Sequence, residues 1–363
     1  MTHDKGAAAP GSSAPKSAHG PLCAGAMMLL AAAAQPARAM DIKPVFDSSI
    51  TSLSDAAQIE SAFNTAAAVF DSAFANPATV NIDVSWGSIA GEAMPAGDVS
   101  TSMDNLSGAY SYANVVSYLT TASKANPSDT VLASAVSHLP KTDPTKLGQF
   151  EIPYAEAKAL GILPGAFPMM DGYIGFDSKV AYDFNPVGGV VTAGEYDFEG
   201  LAEHEIEEVL GRTTGLQSSG VSWATPFDLY RYTASGVSSF TYAAAAYFSI
   251  NGGATDLGNF NSVGGGDRSD WQTLSTSMDV QDAYVSTGKD LTLTGNDLDG
   301  LDALGWGISK VTGSTPLGTV TIFSPPGGAS AVPEPATWAM MLAGAALIGA
   351  SVRRRRWRAV AAV

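Results

Sequence analysis

The sequence is short of cysteine, histidine and charge, above all positive charge. One cysteine in 363 residues excludes a scaffold of intrachain disulfides. Only 15% of the residues are charged, and 19 Lys and Arg stand against 35 Asp and Glu, a formal net charge of −16. Phosphate neutralisation needs a basic surface, so a free-standing nucleic-acid binder is excluded. Four histidines leave little room for an imidazole-rich metal centre. What is present is apolar: 45% of residues are hydrophobic, enough to build a core and to exclude disorder across the whole chain. Low charge with abundant Ala, Ser, Thr and Gly suits an extracytoplasmic protein. The length permits one large domain or two ordinary ones.

Both ends read as targeting segments. Residues 1–39 carry a weakly basic start (Lys5, Lys16), an apolar run over 22–34 and the small-x-small triplet Ala37-Arg38-Ala39, the pattern of a cleaved secretory signal. Cys23 lies ahead of most of that run, which does not fit a lipoprotein signal. At the other end Pro333-Glu334-Pro335 is followed by an apolar stretch over 336–352 and then Arg353, Arg354, Arg355, Arg356 and Arg358. Seventeen apolar residues are at the short end of a bilayer span, and the arginines would stay cytoplasmic. This order of motif, span and basic cluster over 332–358 resembles the PEP-CTERM sorting signal. The resemblance implies export in a Gram-negative bacterium, transient inner-membrane contact and processing by an exosortase-type enzyme. A simple C-terminal membrane anchor is the plainer alternative.

Between the ends, residues 40–310 form one expected domain, and 311–331, rich in Gly, Ser, Thr and Pro, read as a flexible linker. Ile59, Phe63, Ala66, Phe70 and Phe74 recur at helical spacing, predicting an amphipathic helix over 54–75 that Asn76-Pro77 stops. Residues 79–86 (TVNIDVSW) alternate as a half-buried strand. Further helices are expected over 110–123, 128–138 and 154–161, and a strand over 173–176. Beyond residue 212 the chain is Gly-rich with short apolar runs, and helix returns at 301–304. Helices and strands intersperse without a βαβ rhythm, so the fold class is α+β.

One segment carries chemistry. Residues 199–211 read EGLAEHEIEEVLG, with Asp197 as a plausible N-cap and Gly211 as a natural stop. At about 100° per residue, Ala202, Ile206, Val209 and Leu210 share one side and Leu201, His204, Glu205 and Glu208 another. His204 and Glu208, four apart, emerge one turn above each other and can converge on one ion. Imidazole nitrogen and carboxylate oxygen are good zinc donors. Glu205 stands between them, where a carboxylate can take a proton from an activated water and pass it to a leaving amine. This is H-E-x-x-H on a helix with Glu208 in place of the second histidine. The bland alternative is a solvated Glu-rich helix, which is common.

The stretch 196–212 resembles the active-site helix of PEP-CTERM metalloproteases of the zincin type. So do TVNIDVSWG at 79–87, DGYIGF at 171–176, Phe227-Asp228-Leu229-Tyr230-Arg231-Tyr232 and Leu301-Asp302-Ala303-Leu304-Gly305-Trp306. The resemblance implies a zincin-like fold, with a mixed twisted sheet packed on an active-site helix and an irregular C-terminal subdomain. It also implies one catalytic zinc ion and hydrolysis of protein or peptide substrates. The longer metzincin pattern fits as far as Gly211, but Thr214 stands at the third-histidine position, where a neutral hydroxyl is a poor zinc ligand. Without residues 1–39 only His138 and His204 remain, so a three-histidine site within one chain is excluded.

Asp228, twenty positions beyond Glu208, is the first choice for third metal ligand, with a turn or a partner for Arg231 as its ordinary role. His138, at a helix end, is a weaker candidate, and Asp183 and Asp197 stay open. Tyr230 or Tyr232 would suit an oxyanion. Calcium has two weaker candidate loops. Residues 296–302 hold an Asp-x-Asp-Gly core but lack the regular ligand spacing and read as a turn leading into a capped helix. Residues 264–270 read as a flexible turn. The competing function is a non-catalytic surface or matrix protein with a structural or vestigial metal site. Setting aside both end segments removes eight basic residues and two acidic ones (Asp4, Glu334). That leaves 11 basic and 33 acidic, a net −22, so any metal centre here must be rich in carboxylates.

Overall fold

The computed structural model describes residues 40–220 and 223–308. The expected signal segment, linker, sorting signal and apolar run lie outside the described residues. Among the described residues no helix is long and apolar enough to cross a membrane.

The elements that position the site are, in chain order, β1 (Asp41–Phe46), α1 (Ala56–Ala73), β2 (Thr79–Trp86), β3 (Ser100–Asp104), α2 (Tyr112–Ala125), α3 (Thr130–Ser137), α4 (Tyr154–Ala159), β4 (Gly172–Phe176), α5 (Phe198–Val209) and α6 (Gly295–Ala303). Helices and sheets are mixed, as the α+β class requires. The main sheet has the order β1-β2-β4-β3. Its first three strands are parallel, with Ile42 opposite Val80 and Val84 opposite Ile174. β3 runs antiparallel at the edge, with Ser102 opposite Ile174.

The period-3.6 and period-2 patterns become the core. Ile59, Phe63, Ala66, Phe70 and Phe74 are fully buried, as are Val80, Ile82 and Val84 on the facing side of β2. α1 packs against β1 and against α5, and α5 in turn packs against β3. Phe198 at the start of α5 stacks on Phe176 of β4, ring centroids 4.4 Å apart. Asn76, the stop after α1, ties distant segments together. Its amide donates to the carbonyls of Ala159 and Gly305, and its oxygen accepts from the Gly307 N–H at 2.7 Å.

A buried ion pair sets α4 against the sheet. Lys158 Nζ lies 2.6 Å from Asp171 Oδ2 with both side chains fully buried, and it also donates to Thr79 O. Asp171 Oδ2 further accepts the Asn81 N–H at 2.7 Å, so the pair is hydrogen-bonded as a buried pair must be.

Beyond residue 212 the architecture is a small antiparallel sheet around Arg231–Ala234, then isolated bridges such as Phe260 with Trp271 and Trp271 with Asp282. Helix α6 begins at Gly295, earlier than the 301–304 that hydrophobic spacing predicted, because Thr294 and Asp297 form a capping box. The 296–302 stretch is therefore the helix itself. Its Asp302 meets Asp129, the N-cap of α3. Burial and the hydrogen bond to Asp129 push Asp302 up to about 9.

A carboxyl raised in the folded state binds more protons there than in the unfolded chain. Stability then falls as pH rises from about 4 towards 9. Asp302→Asn removes that penalty. Its gain in unfolding free energy should be on the order of 2 kcal/mol at pH 8 and should shrink to nothing near pH 4. Denaturant titrations at the two pH values check this, and an equal effect at both contradicts it.

Candidate metal centre

Helix α5 forms where its caps and spacing place it. Asp197 accepts the Gly200 N–H at 3.2 Å, and its second oxygen accepts the Leu291 N–H at 2.9 Å. Gly211, at φ +120°, ends the helix in a conformation that side chains rarely adopt. Trp306 Nε1 donates to the Leu210 carbonyl at 2.8 Å, satisfying one of the orphan groups of the helix end. The helix is not a solvated Glu-rich surface helix: His204 is 2% exposed, Glu205 and Glu207 0%, and Glu208 3%.

His204, Glu205 and Glu208 each offer a ligand atom, and these atoms lie within 4.8 Å of one another. His204 Nε2 is 4.0 Å from Glu208 Oε1. The imidazole is oriented from behind, because Nδ1 lies 2.8 Å from the Val280 carbonyl. A carbonyl only accepts, so Nδ1 carries a proton, and Nε2, on the side of the carboxylates, is the nitrogen left to take a metal once its own proton is lost. Glu208 is held likewise by Ser102 of the edge strand, whose hydroxyl donates to Oε2 at 2.6 Å. These are the outer contacts that fix metal ligands.

The electrostatics are set by burial and by carboxylates crowded around one imidazole. Burial opposes charge on His204, but Asp270, Glu205, Glu208 and the Val280 carbonyl together raise it to about 9. Burial raises Glu205, while His204 and the side chains of Ser100, Glu208 and Ser102 pull it back. Burial and the neighbouring Glu205 push Asp98 up to about 7. Both Asp98 oxygens are buried without a hydrogen-bond partner.

Beside the cluster on α5, Glu207 faces Arg212 at 3.6 Å, and Arg212 stacks over Trp271 with its guanidinium carbon 4.3 Å from the ring centroid. Arg212 also donates to Gln281 Oε1, and Gln281 Nε2 donates to the His204 carbonyl at 3.0 Å. One chain of contacts thus joins the helix end, the 280–282 segment and the histidine.

The other candidate ligands lie elsewhere. Asp228 is fully buried, but Oδ1 accepts the Thr214 hydroxyl at 2.5 Å and Oδ2 accepts the Gly215 and Thr225 N–H groups at 2.9 and 3.0 Å. The two positions that sequence spacing offered for a third ligand, Thr214 and Asp228, are bonded to each other. Asp228 is not among the converging ligand atoms; the Thr214 hydroxyl takes one of its oxygens and the Gly215 and Thr225 N–H groups take the other.

His138 is an exposed helix-end residue whose Nδ1 bonds Ser134 O. Asp183 accepts from Asn185 and Thr192 at the surface, and Asp197 is the cap of α5. Tyr230 OH donates to Ala303 O at 2.8 Å. Residues 264–270 are tied down: Arg268 donates to the Asn261 and Val263 carbonyls, and Asp267 accepts from Ser269 N–H and hydroxyl. Sequence reasoning missed Asp98, Ser102, Val280 and Asp270. A strand of hydroxyl side chains, STSMD, was the one readable hint, because its donors match an acidic helix.

Comparison with known families places a PEP-CTERM protein-sorting motif at residues 331–356. That motif indicates recognition by an exosortase-type processing enzyme and export for surface sorting in a Gram-negative bacterium. No curated protein and no solved structure matches the chain.

Proposed function

We propose that the exported body is a zinc-dependent endopeptidase of the zincin type. The observation that carries this reading is the buried convergence of His204, Glu205 and Glu208 on one helix, with the imidazole tautomer fixed by Val280. The donor set fits zinc, with one imidazole nitrogen and carboxylate oxygens within reach of one another. A mixed sheet whose antiparallel edge strand lies against the helix, and an irregular C-terminal part, also suit that fold.

His204 and Glu208 would hold the ion. Zinc, when bound, supplies Lewis acidity and lowers the pKa of a coordinated water to about 7. Glu205 takes the proton of the attacking water on its carboxylate and returns it to the leaving amine. Its burial raises its basicity above that of an ordinary carboxylate. Ser102 keeps Glu208 in place through the cycle. The substrate is a protein or peptide.

Chelator treatment of the purified protein should abolish proteolysis, and added zinc should restore it. Proteolysis that persists in metal-free protein removes the reading. A second reading, a surface or matrix protein with a structural metal site, is favoured by the depth of the cluster, since all three residues are buried. For that protein the chelator lowers the melting temperature and no proteolysis appears under any condition.

A further inference from the structure

We propose that Arg231 and Arg268 hold a buried monovalent anion of the chloride class. The site stands apart from the zinc reading of His204, Glu205 and Glu208. Arg231 is 1% exposed and Arg268 3%. A guanidinium cannot shed its charge by losing a proton. Once buried, it needs a counter-charge and acceptors for its N–H groups. Other buried cations have a carboxylate at hand: Lys158 lies 2.6 Å from Asp171, and Arg212 lies 3.6 Å from Glu207. Among the described residues no carboxylate oxygen comes within 4.0 Å of the Arg231 or Arg268 nitrogens.

The donors left over share one geometry. Arg231 uses Nη1 on the neutral Arg268 carbonyl. Its Nε and Nη2 are buried without an acceptor, and so is Arg268 Nε. Nε and Nη2 lie on one edge of the planar guanidinium, the edge that grips an acceptor through two N–H groups at once. The nearest carboxylates do not meet this need. Asp228 gives its oxygens to Thr214, Gly215 and Thr225, and Asp267 Oδ1 accepts the Ser269 N–H and hydroxyl. Burial lowers Arg231 to about 10, Asp228 and Asp267 raise it, and Arg268 lowers it, so Arg231 is still a cation at neutral pH.

Residues 260 and 261 bring the two side chains together. The Arg231 guanidinium carbon lies 4.1 Å from the Phe260 ring centroid, and Arg268 Nη1 donates to the Asn261 carbonyl at 3.3 Å. The Arg268 guanidinium in turn stacks on Tyr242 at 4.1 Å. Aromatic rings cover the faces of both cations, which leaves their N–H edges for a ligand. An anion at that depth must be small and must shed its water readily. Chloride meets both conditions better than a phosphate or a carboxylate-bearing molecule. Bound there, it would tie the strand Arg231–Ala234 to the loop over 261–270.

The test compares melting of the purified protein in chloride and in gluconate at constant ionic strength, which holds screening fixed. Bromide-soaked crystals measured at the bromine absorption edge give the position. Chloride should raise the melting temperature in a saturable way, by about 3 °C at ten times its dissociation constant. Gluconate, too bulky for the site, should not. The anomalous peak should lie against Arg231 Nε and Nη2. Arg231→Gln keeps a polar side chain without the charge and should lose the chloride response. If that variant does not fold, the wild-type titration and map decide by themselves. Equal melting in the two salts, water without bromide at the Arg231 edge, or a full chloride response in folded Arg231→Gln overturns the site. So does a bromide peak without a chloride response, which is an adventitious ion only.

Discussion

Glu205→Gln should keep its zinc and lose its turnover. Glutamine has the shape of the glutamate and no basic oxygen, so the buried cluster keeps its packing while the proton acceptor disappears. General-base catalysis contributes about 10²–10⁴-fold, and kcat should fall by at least that much with KM little changed. The variant should melt no lower than the parent, because an uncharged amide replaces a carboxylate that is fully buried and raised by that burial. Metal content, kcat and melting temperature on one preparation check all three statements. Retained turnover would sink the assignment of Glu205 as the base and would turn attention to Asp98 beside it.

His204→Ala acts on the metal itself. It removes the imidazole among the converging ligand atoms and leaves Glu205 and Glu208 as buried carboxylates with their cationic neighbour gone. Zinc affinity should fall further than the 10–100-fold typical of outer contacts, roughly a thousand-fold, and proteolysis should vanish with it. Binding to the native state alone stabilises by mass action, so zinc should raise the melting temperature of the parent and not of the variant. Differential scanning calorimetry with and without zinc separates the two. An equal response in both proteins would place the stabilising ion elsewhere.

The helix that carries the site was legible because every local signal agreed. Asp197 caps it, Gly211 ends it, and the positions of Ala202, Ile206, Val209 and Leu210 gave it a packing side. The first helix and strand were legible for the same reason: aromatic and aliphatic residues at regular spacing become buried wherever the sheet lies. The groups that surround the site left no such trace. Asp270 follows a run of three glycines, a composition that reads as a turn, yet the Asn261 N–H holds its carbonyl and the neighbouring Trp271 N–H bonds the Gln281 carbonyl. Val280 acts through its backbone carbonyl, which no side-chain pattern reveals. Ser102 lies on a strand without apolar alternation because one side of that strand meets carboxylates.

Asp228 shows the opposite difficulty. Its twenty-residue separation from Glu208 is a chain length and carries no direction, and the polar groups of Thr214, Gly215 and Thr225 reach its oxygens first. Chain composition limited the residue types that could gather on this helix. With two histidines left after residues 1–39 are set aside, and one of them exposed at a helix end, carboxylates had to supply the rest of the cluster.

The most direct test of the central claim is the zinc content of the purified exported protein, measured by elemental analysis after equilibration with zinc and removal of the excess. About one zinc per chain is expected in the parent and none in His204→Ala. A parent chain that holds no zinc, or a His204→Ala variant that holds as much as the parent, would contradict it.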